Sequence, residues 1–237
     1  SLLENGFYLS FGKYLLVAAG ISELNNSETV TELAKGIRSV ADKFEVTVIG
    51  GDLSKSEKMT LSITALGELS GQPILRSGAR VGDLIYLSSL TGLSAAGLAI
   101  LNRELDRPRY VVEAHLNPKL VAPDKLIKVA TSMCDVSDGL ATDAAHLSYA
   151  SNVNFNLSKD LISQAADFKD LAELAKELNE DVFDWILTGG EDHFFLATVG
   201  KENESNELGI QIGSVGKGEG KLLLDGVEIK KTGYQHF

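Results

Sequence analysis

From Ser27 the apolar residues Val30, Leu33, Ile37, Val40 and Phe44 recur at spacings of three and four, and the chain then switches to the β-branched run EVTVIG at 45–50. The first pattern predicts an amphipathic helix with Ser27 as its capping candidate, and the second a buried strand. A longer strand is predicted over 59–69, where threonine, isoleucine and serine interleave, which leaves Gly50, Gly51 and Asp52 in the connection between two strands. The same switching of period continues to the end of the chain. A strand at 84–88, a helix at 93–101 rich in small residues, a helix whose first turn holds Pro123, and another helix at 140–150 follow in order. Strands at 153–157, 193–199 and 209–215 precede a hairpin turning at Asp225-Gly226. Such alternation predicts an α/β chain with mixed α+β layers rather than a bundle or a sandwich. The polar, glycine-rich stretch RSGARVGD at 76–83 marks a boundary, giving domains at 1–82 and 83–237.

Composition narrows the function. With 237 residues, 44% of them hydrophobic, the chain can bury a substantial core. Its 22 basic and 33 acidic residues leave a formal charge of −11, which repels nucleic acid and anionic membrane surfaces, and no basic patch offsets it. The apolar N-terminal stretch is interrupted by Glu4, Asn5, Gly6, Gly12 and Lys13, so it reads neither as a signal peptide nor as a membrane span. A single cysteine, Cys134, excludes an intramolecular disulfide and fits a reducing, cytoplasmic location. The four histidines show no metal-ligand spacing, and neither a Walker-type loop nor a dinucleotide fingerprint occurs.

Three acidic motifs are candidates for chemistry. In VIGGD, Gly50 and Gly51 would let a ligand approach the main chain while Asp52 offers oxygen to a hard cation; a simple turn explains the same residues. In CDVSDGL, Asp135 and Asp138 bracket Ser137 at a strand-to-helix junction, where two carboxylates can share a magnesium ion with phosphate oxygens. Helix capping by Ser137 or Asp138 is the competing explanation. In TGGEDHFF, either Glu191 or Asp192 could face a cleft, or stand as an edge charge in a turn. Tyr234 and Phe237 near the C-terminus could stack on a flat ring or dock on the core.

Taken in order, VIGGD, SITALGE, RSGARVGD, SAAGLAIL, HLNP, DVSDGLATDAAHL, LTGGEDHFFL and TGYQHF resemble the thiamine-monophosphate kinase family, within the aminoimidazole ribonucleotide synthetase-like superfamily. The resemblance runs from about Gly12 to the C-terminus. It implies the two-domain fold of that superfamily and an ATP- and Mg²⁺-dependent phosphorylation of thiamine monophosphate to thiamine diphosphate. It further implies several magnesium ions held by Asp52, Asp135 and Asp138, ATP contacted by Gly51, Asp52, Arg76 and Ser137, and the thiamine portion contacted by Glu191 and Tyr234. No residue is implied as an acid or base: positioning and metal would do the work. Residues 1–82 would form the ATP- and magnesium-binding, dimerising domain, incomplete at its N-terminus, and 83–237 an α/β domain supplying metal and substrate residues. The apolar strand at 59–69 needs a cover, and the resemblance implies a homodimer.

Two departures stand beside these matches. Family members carry an N-terminal stretch with further aspartates ahead of the point matching Ser1, and Asn5 falls where another metal-binding aspartate is usual. The alternative function is therefore a degenerate homologue of the same fold that binds nucleotide or a thiamine compound without turnover. Sister branches that act through a terminal functional cysteine are not matched, because Cys134 sits mid-chain.

Overall fold

The computed structural model describes residues 10–24, 27–69, 71–106, 109–120 and 122–229. The chain separates into two compact units, one running to Pro73 and the other from Ile74 onward.

In the first unit, strand β1 (Ser10–Ile21) is followed by helix α1 (Ser27–Lys43), strand β2 (Thr47–Lys55) and strand β3 (Thr60–Leu69). The sheet order is β2-β1-β3, with β1 parallel to β2 and antiparallel to β3. The β1-α1-β2 crossover explains the parallel pairing, since a helix must carry the chain back along the sheet. Three of the five apolar residues predicted for α1 form one face: Val30, Leu33 and Ile37 share a cleft of about 340 Å³ with Val17, Ala19 and Leu61 of the sheet, while Val40 and Phe44 stay exposed.

The second unit is built on a seven-stranded sheet of order β10-β9-β6-β8-β4-β7-β5. Its strands are β4 (Leu84–Leu87), β5 (Ala130–Val136), β6 (Asn154–Leu157), β7 (Phe194–Val199), β8 (Ile210–Gly216), β9 (Leu222–Leu224) and β10 (Val227–Glu228). All neighbouring pairs are antiparallel except β6 with β9. Helices α2 (Leu93–Asn102), α3 (Arg109–Leu116), α4 (Asp124–Ile127), α5 (Leu140–Ser151), α6 (Lys159–Ser163), α7 (Phe168–Glu177) and α8 (Val182–Thr188) complete the layers. The central strand β4 is buried along its whole length, and Ile85, Leu87, Leu140, Leu147, Phe155 and Ile162 are closed off from solvent. The Asp225-Gly226 hairpin forms as predicted, both residues taking positive φ (50° and 80°) between paired strands β9 and β10.

Two expectations change. Gly50, Gly51 and Asp52 lie inside β2, paired with Leu16, Val17 and Ala18, and not in a connection. The register slips between Leu15 and Leu16, so Ile49 has no partner of its own and the strand bulges immediately before the glycines. A Cβ on Gly51 would lie 1.8 Å from the Val17 carbonyl oxygen, so glycine here permits close contact between strands rather than a turn. The second change concerns the stretch at 76–83, which belongs to the larger unit: Ser151 Oγ accepts from the Gly78 and Ala79 amides (3.1 and 3.2 Å) and donates to the Arg76 carbonyl (3.1 Å).

Candidate active site

The larger unit brings Arg76, Asp135, Ser137, Asp138 and Glu191 into one neighbourhood. Asp135 is the last residue but one of strand β5 and is itself buried, and Ser137 and Asp138 follow in the turn to α5. Neither caps that helix: its N-cap is Gly139, with no side-chain cap bond, so the capping explanation fails. The turn is held from within the helix instead. Asp143, in the first turn of α5, accepts hydrogen bonds from the Ser137 and Asp138 amides through Oδ2 (3.1 and 3.2 Å). Burial pushes the Asp143 carboxyl up, and the Asp138 amide and nearby His146 work against that rise. His146 Nδ1 stands 3.7 Å from Asp143 Oδ1, an ion-pair distance rather than a hydrogen bond.

The TGGED loop is fastened to the same turn. The Glu191 amide donates to the Ser137 carbonyl (2.9 Å) and the His193 amide to the Val136 carbonyl (3.0 Å). Gly190 sits so close that a Cβ there would lie 2.7 Å from the Ser137 carbonyl oxygen. Glu191 and His193 both have positive φ (66° and 54°), and Glu191 Oε2 lies 3.1 Å from His193 Nε2. Asp192 turns inward, buried, its carboxylate accepting from the Gly92 amide (2.7 Å) and the Ser94 amide (3.1 Å). Burial raises its pKa to about 6 against the pull of those amides and of His193.

Arg76 completes the group. Asp143, Asp135 and Arg76 all act electrostatically on the thiol of Cys134, whose burial drives its pKa well above the ordinary value. The thiol is thereby inert, as expected of a core residue. The Nε of Arg76 is buried with no hydrogen-bond partner, an unmet donor among the charges that act on Cys134. A guanidinium so placed suits a phosphate oxygen.

Among the described residues no three His, Cys, Asp or Glu side chains gather as a metal-holding group. The oxygen donors of Asp135 and Asp138 nevertheless suit Mg²⁺, which commonly takes one or two carboxylates and completes its shell with water and substrate phosphate. Asp52 and Gly51 belong to the first unit, at mid-strand in β2. Tyr234, Glu4 and Asn5 lie outside the described residues. Asp143 and Ser151 were not singled out from sequence. An acid in the first turn just after SDG was the available signal for Asp143, whereas nothing local marks Ser151.

Residues 12–69 match the family model described as AIR synthase related protein, N-terminal domain. A thiamine-monophosphate kinase of Aquifex aeolicus (strain VF5) is 30% identical over 232 residues, covering 95% of this chain and 74% of the relative. The chain belongs to the thiamine-monophosphate kinase family. A thiamine-monophosphate kinase from Mycobacterium tuberculosis (strain H37Rv) is 35% identical over 207 residues, and there the family match covers 85% of this chain and 60% of the relative. Among solved structures, one described as AaThiL complexed with AMPPCP and TMP superposes with a TM-score of 0.86 at 30% identity, over 98% of this chain and 75% of that one. A hydrogenase maturation protein, HypE, shares the fold of this kinase family at 15% identity and a TM-score of 0.69. No helix among the described residues is long and apolar enough to cross a membrane.

Proposed function

We propose that this chain transfers the γ-phosphoryl group of ATP to the phosphate of thiamine monophosphate, giving thiamine diphosphate and ADP. The observation that carries the proposal is the interlocked pair of loops: Ser137 and Asp138 held by Asp143, and Glu191 held by Ser137, beside Asp135 and the unmet donor of Arg76. The acceptor phosphate is already ionised at neutral pH, so the chain needs no general base. Its residues have to align donor and acceptor and offset their repulsion.

In this proposal Arg76 and Ser137 of the second unit bind ATP phosphates, Glu191 and Tyr234 hold the thiamine portion, and the backbone at Gly51 of the first unit is an ATP contact in its own right. Within the second unit Asp135 and Asp138 hold magnesium, and Asp52 of the first unit is a separate magnesium ligand. When bound, Mg²⁺ neutralises the negative charge that gathers on the transferring phosphoryl group. Asp143 keeps the Ser137 and Asp138 amides in place, and Ser151 fastens the segment that carries Arg76. The active form is a cytoplasmic homodimer. Support for the dimer comes from β3, an edge strand on which Leu61, Ile63, Leu66 and Leu69 are all exposed.

A non-catalytic homologue is the second reading, favoured by the absence, among the described residues, of three ligands gathered to hold a metal. A coupled assay with ATP, Mg²⁺ and thiamine monophosphate separates the two. The kinase turns over, and Asp138→Asn lowers its rate by about 10²-fold or more, as for removal of a group that stabilises transition-state charge. Nucleotide binding without turnover in the wild-type protein sinks the kinase reading.

A further inference from the structure

Asp192 is 4% exposed, yet its carboxylate is spent on main-chain amides at the start of α2, one hundred residues earlier in the chain. That helix has no cap of its own: Gly92 stands at the N-cap with φ 104° and no side-chain bond. Asp192 Oδ2 and Oδ1 take the Gly92 and Ser94 amides, so a distant loop satisfies donors that the helix leaves open. Ser94 Oγ is in turn 3.0 Å from His115 Nδ1, which ties the same helix start to α3.

The residues on either side of Asp192 are strained. Glu191 and His193 both occupy the left-handed region, where residues with a Cβ stay only when their surroundings hold them. Backbone bonds to Ser137 and Val136 fasten one side of the loop. The Asp192 carboxylate fastens the other, between two residues that would each relax toward negative φ if released.

We propose that Asp192 is a positioning residue: its carboxylate clamps the start of α2 to the loop at 189–193 and so holds Glu191 in the conformation that meets substrate. The inference rests on the reading that Glu191 contacts the thiamine portion. A buried helix cap acting on stability alone would show the same bonds, so the test needs a readout that stability does not move.

Amide hydrogen exchange is first measured without substrate on the wild type and Asp192→Asn. Release of the clamp raises exchange at 89–95 and 189–193 by about tenfold or more, while β6 keeps its wild-type protection. Unchanged exchange in both segments overturns the clamp, whether or not the protein turns over. The kinetic arm then compares Asp192→Asn in the wild-type and Glu191→Gln backgrounds. Acting through Glu191, the substitution raises KM for thiamine monophosphate by about tenfold in the wild type and less than about twofold in the Glu191→Gln background, with KM for ATP within about twofold. Equal losses in both backgrounds, or an equal rise in KM for ATP, overturn the positioning role. If Asp192→Asn does not fold, Asp192→Glu, which keeps the charge on a longer arm, is judged by the same measurements. A wild-type protein without turnover contradicts the kinase reading, and the exchange arm alone then decides the clamp.

Discussion

Of the described residues up to Pro73, only Ala19, Gly20, Ser22 and Ala41 are buried, whereas from Ile74 onward β4, β5, α5 and β7 run through a continuous core. The contrast is not one of composition. The first unit is rich in Val, Leu and Ile, but its three strands and one helix have too few layers to cover them: Leu53 is 66% exposed and Ile49 52%. Helix α1 lies over Val17, Ala19 and Leu61, and strand alternation puts Tyr14, Leu16 and Leu66 on the opposite face, where they are also exposed. In the second unit, by contrast, even polar groups are locked. Thr131 Oγ1 lies 2.6 Å from both Asp83 Oδ2 and Thr198 Oγ1, and Ser148 Oγ donates to the Val153 carbonyl (2.7 Å). One unit can hold loops rigid by itself; the other presents apolar surface that calls for a cover.

The largest expected effect separates the two cores. Phe155→Ala, in the closed core of the second unit, costs about 3–5 kcal/mol in urea unfolding. Leu53→Ala in the first unit costs roughly 0.5 kcal/mol or less, as an exposed site should. Equal costs at the two positions would break the contrast. Next is the cover itself. Leu66→Lys places a charge on the face away from α1, and sedimentation should show the proposed dimer dissociating at roughly 100-fold higher concentration than the wild type, the cost of an unpaired charge in an interface core. An unchanged dimer would mean that another surface supplies the contact.

A third effect tests the locked polar groups. The folded-state pKa of Asp192, about 6, exceeds the ordinary carboxyl value. Its contribution to stability is therefore complete below about pH 4 and is lost as pH rises through 6, a span of about 3 kcal/mol. The stability of the wild type minus that of Asp192→Asn should fall across this window. His193 beside it, and Glu113, Arg109 and Lys119 on the same cleft, are the neighbouring charges, and they are common to both proteins, so the difference isolates Asp192. A flat difference would mean that Asp192 stays hydrated.

Much of this architecture was legible because hydrophobic period and turn chemistry are local. α1, the α2 segment at Leu93–Asn102, α5 and the Asp225-Gly226 hairpin all follow from such signals. β1 was missed because Gly12 and Lys13 interrupt its apolar run, and β2 was cut short because glycine and aspartate are poor strand residues in isolation. The partner that keeps β2 extended past Gly51 is β1, some thirty residues earlier, and the approach of Val17 to Gly51 cannot be read from either segment alone. The candidate site divides in the same way. Asp135, Ser137, Asp138, Glu191 and Asp192 stand in short motifs, but that Asp192, like Asp143 and Ser151, acts on main-chain groups is not legible there, and two of those three reach across more than seventy residues. Local motifs announce side chains that are candidates to meet ligands. They say little about the side chains that hold the backbone beneath them.

The phosphoryl-transfer proposal is tested most directly by following the phosphoryl group itself, with ATP labelled at the γ-phosphate, Mg²⁺ and thiamine monophosphate. The label should appear in the terminal phosphate of thiamine diphosphate and be lost from that product in Asp138→Asn. Label released only as inorganic phosphate, or retained in ATP while nucleotide binds, would contradict it.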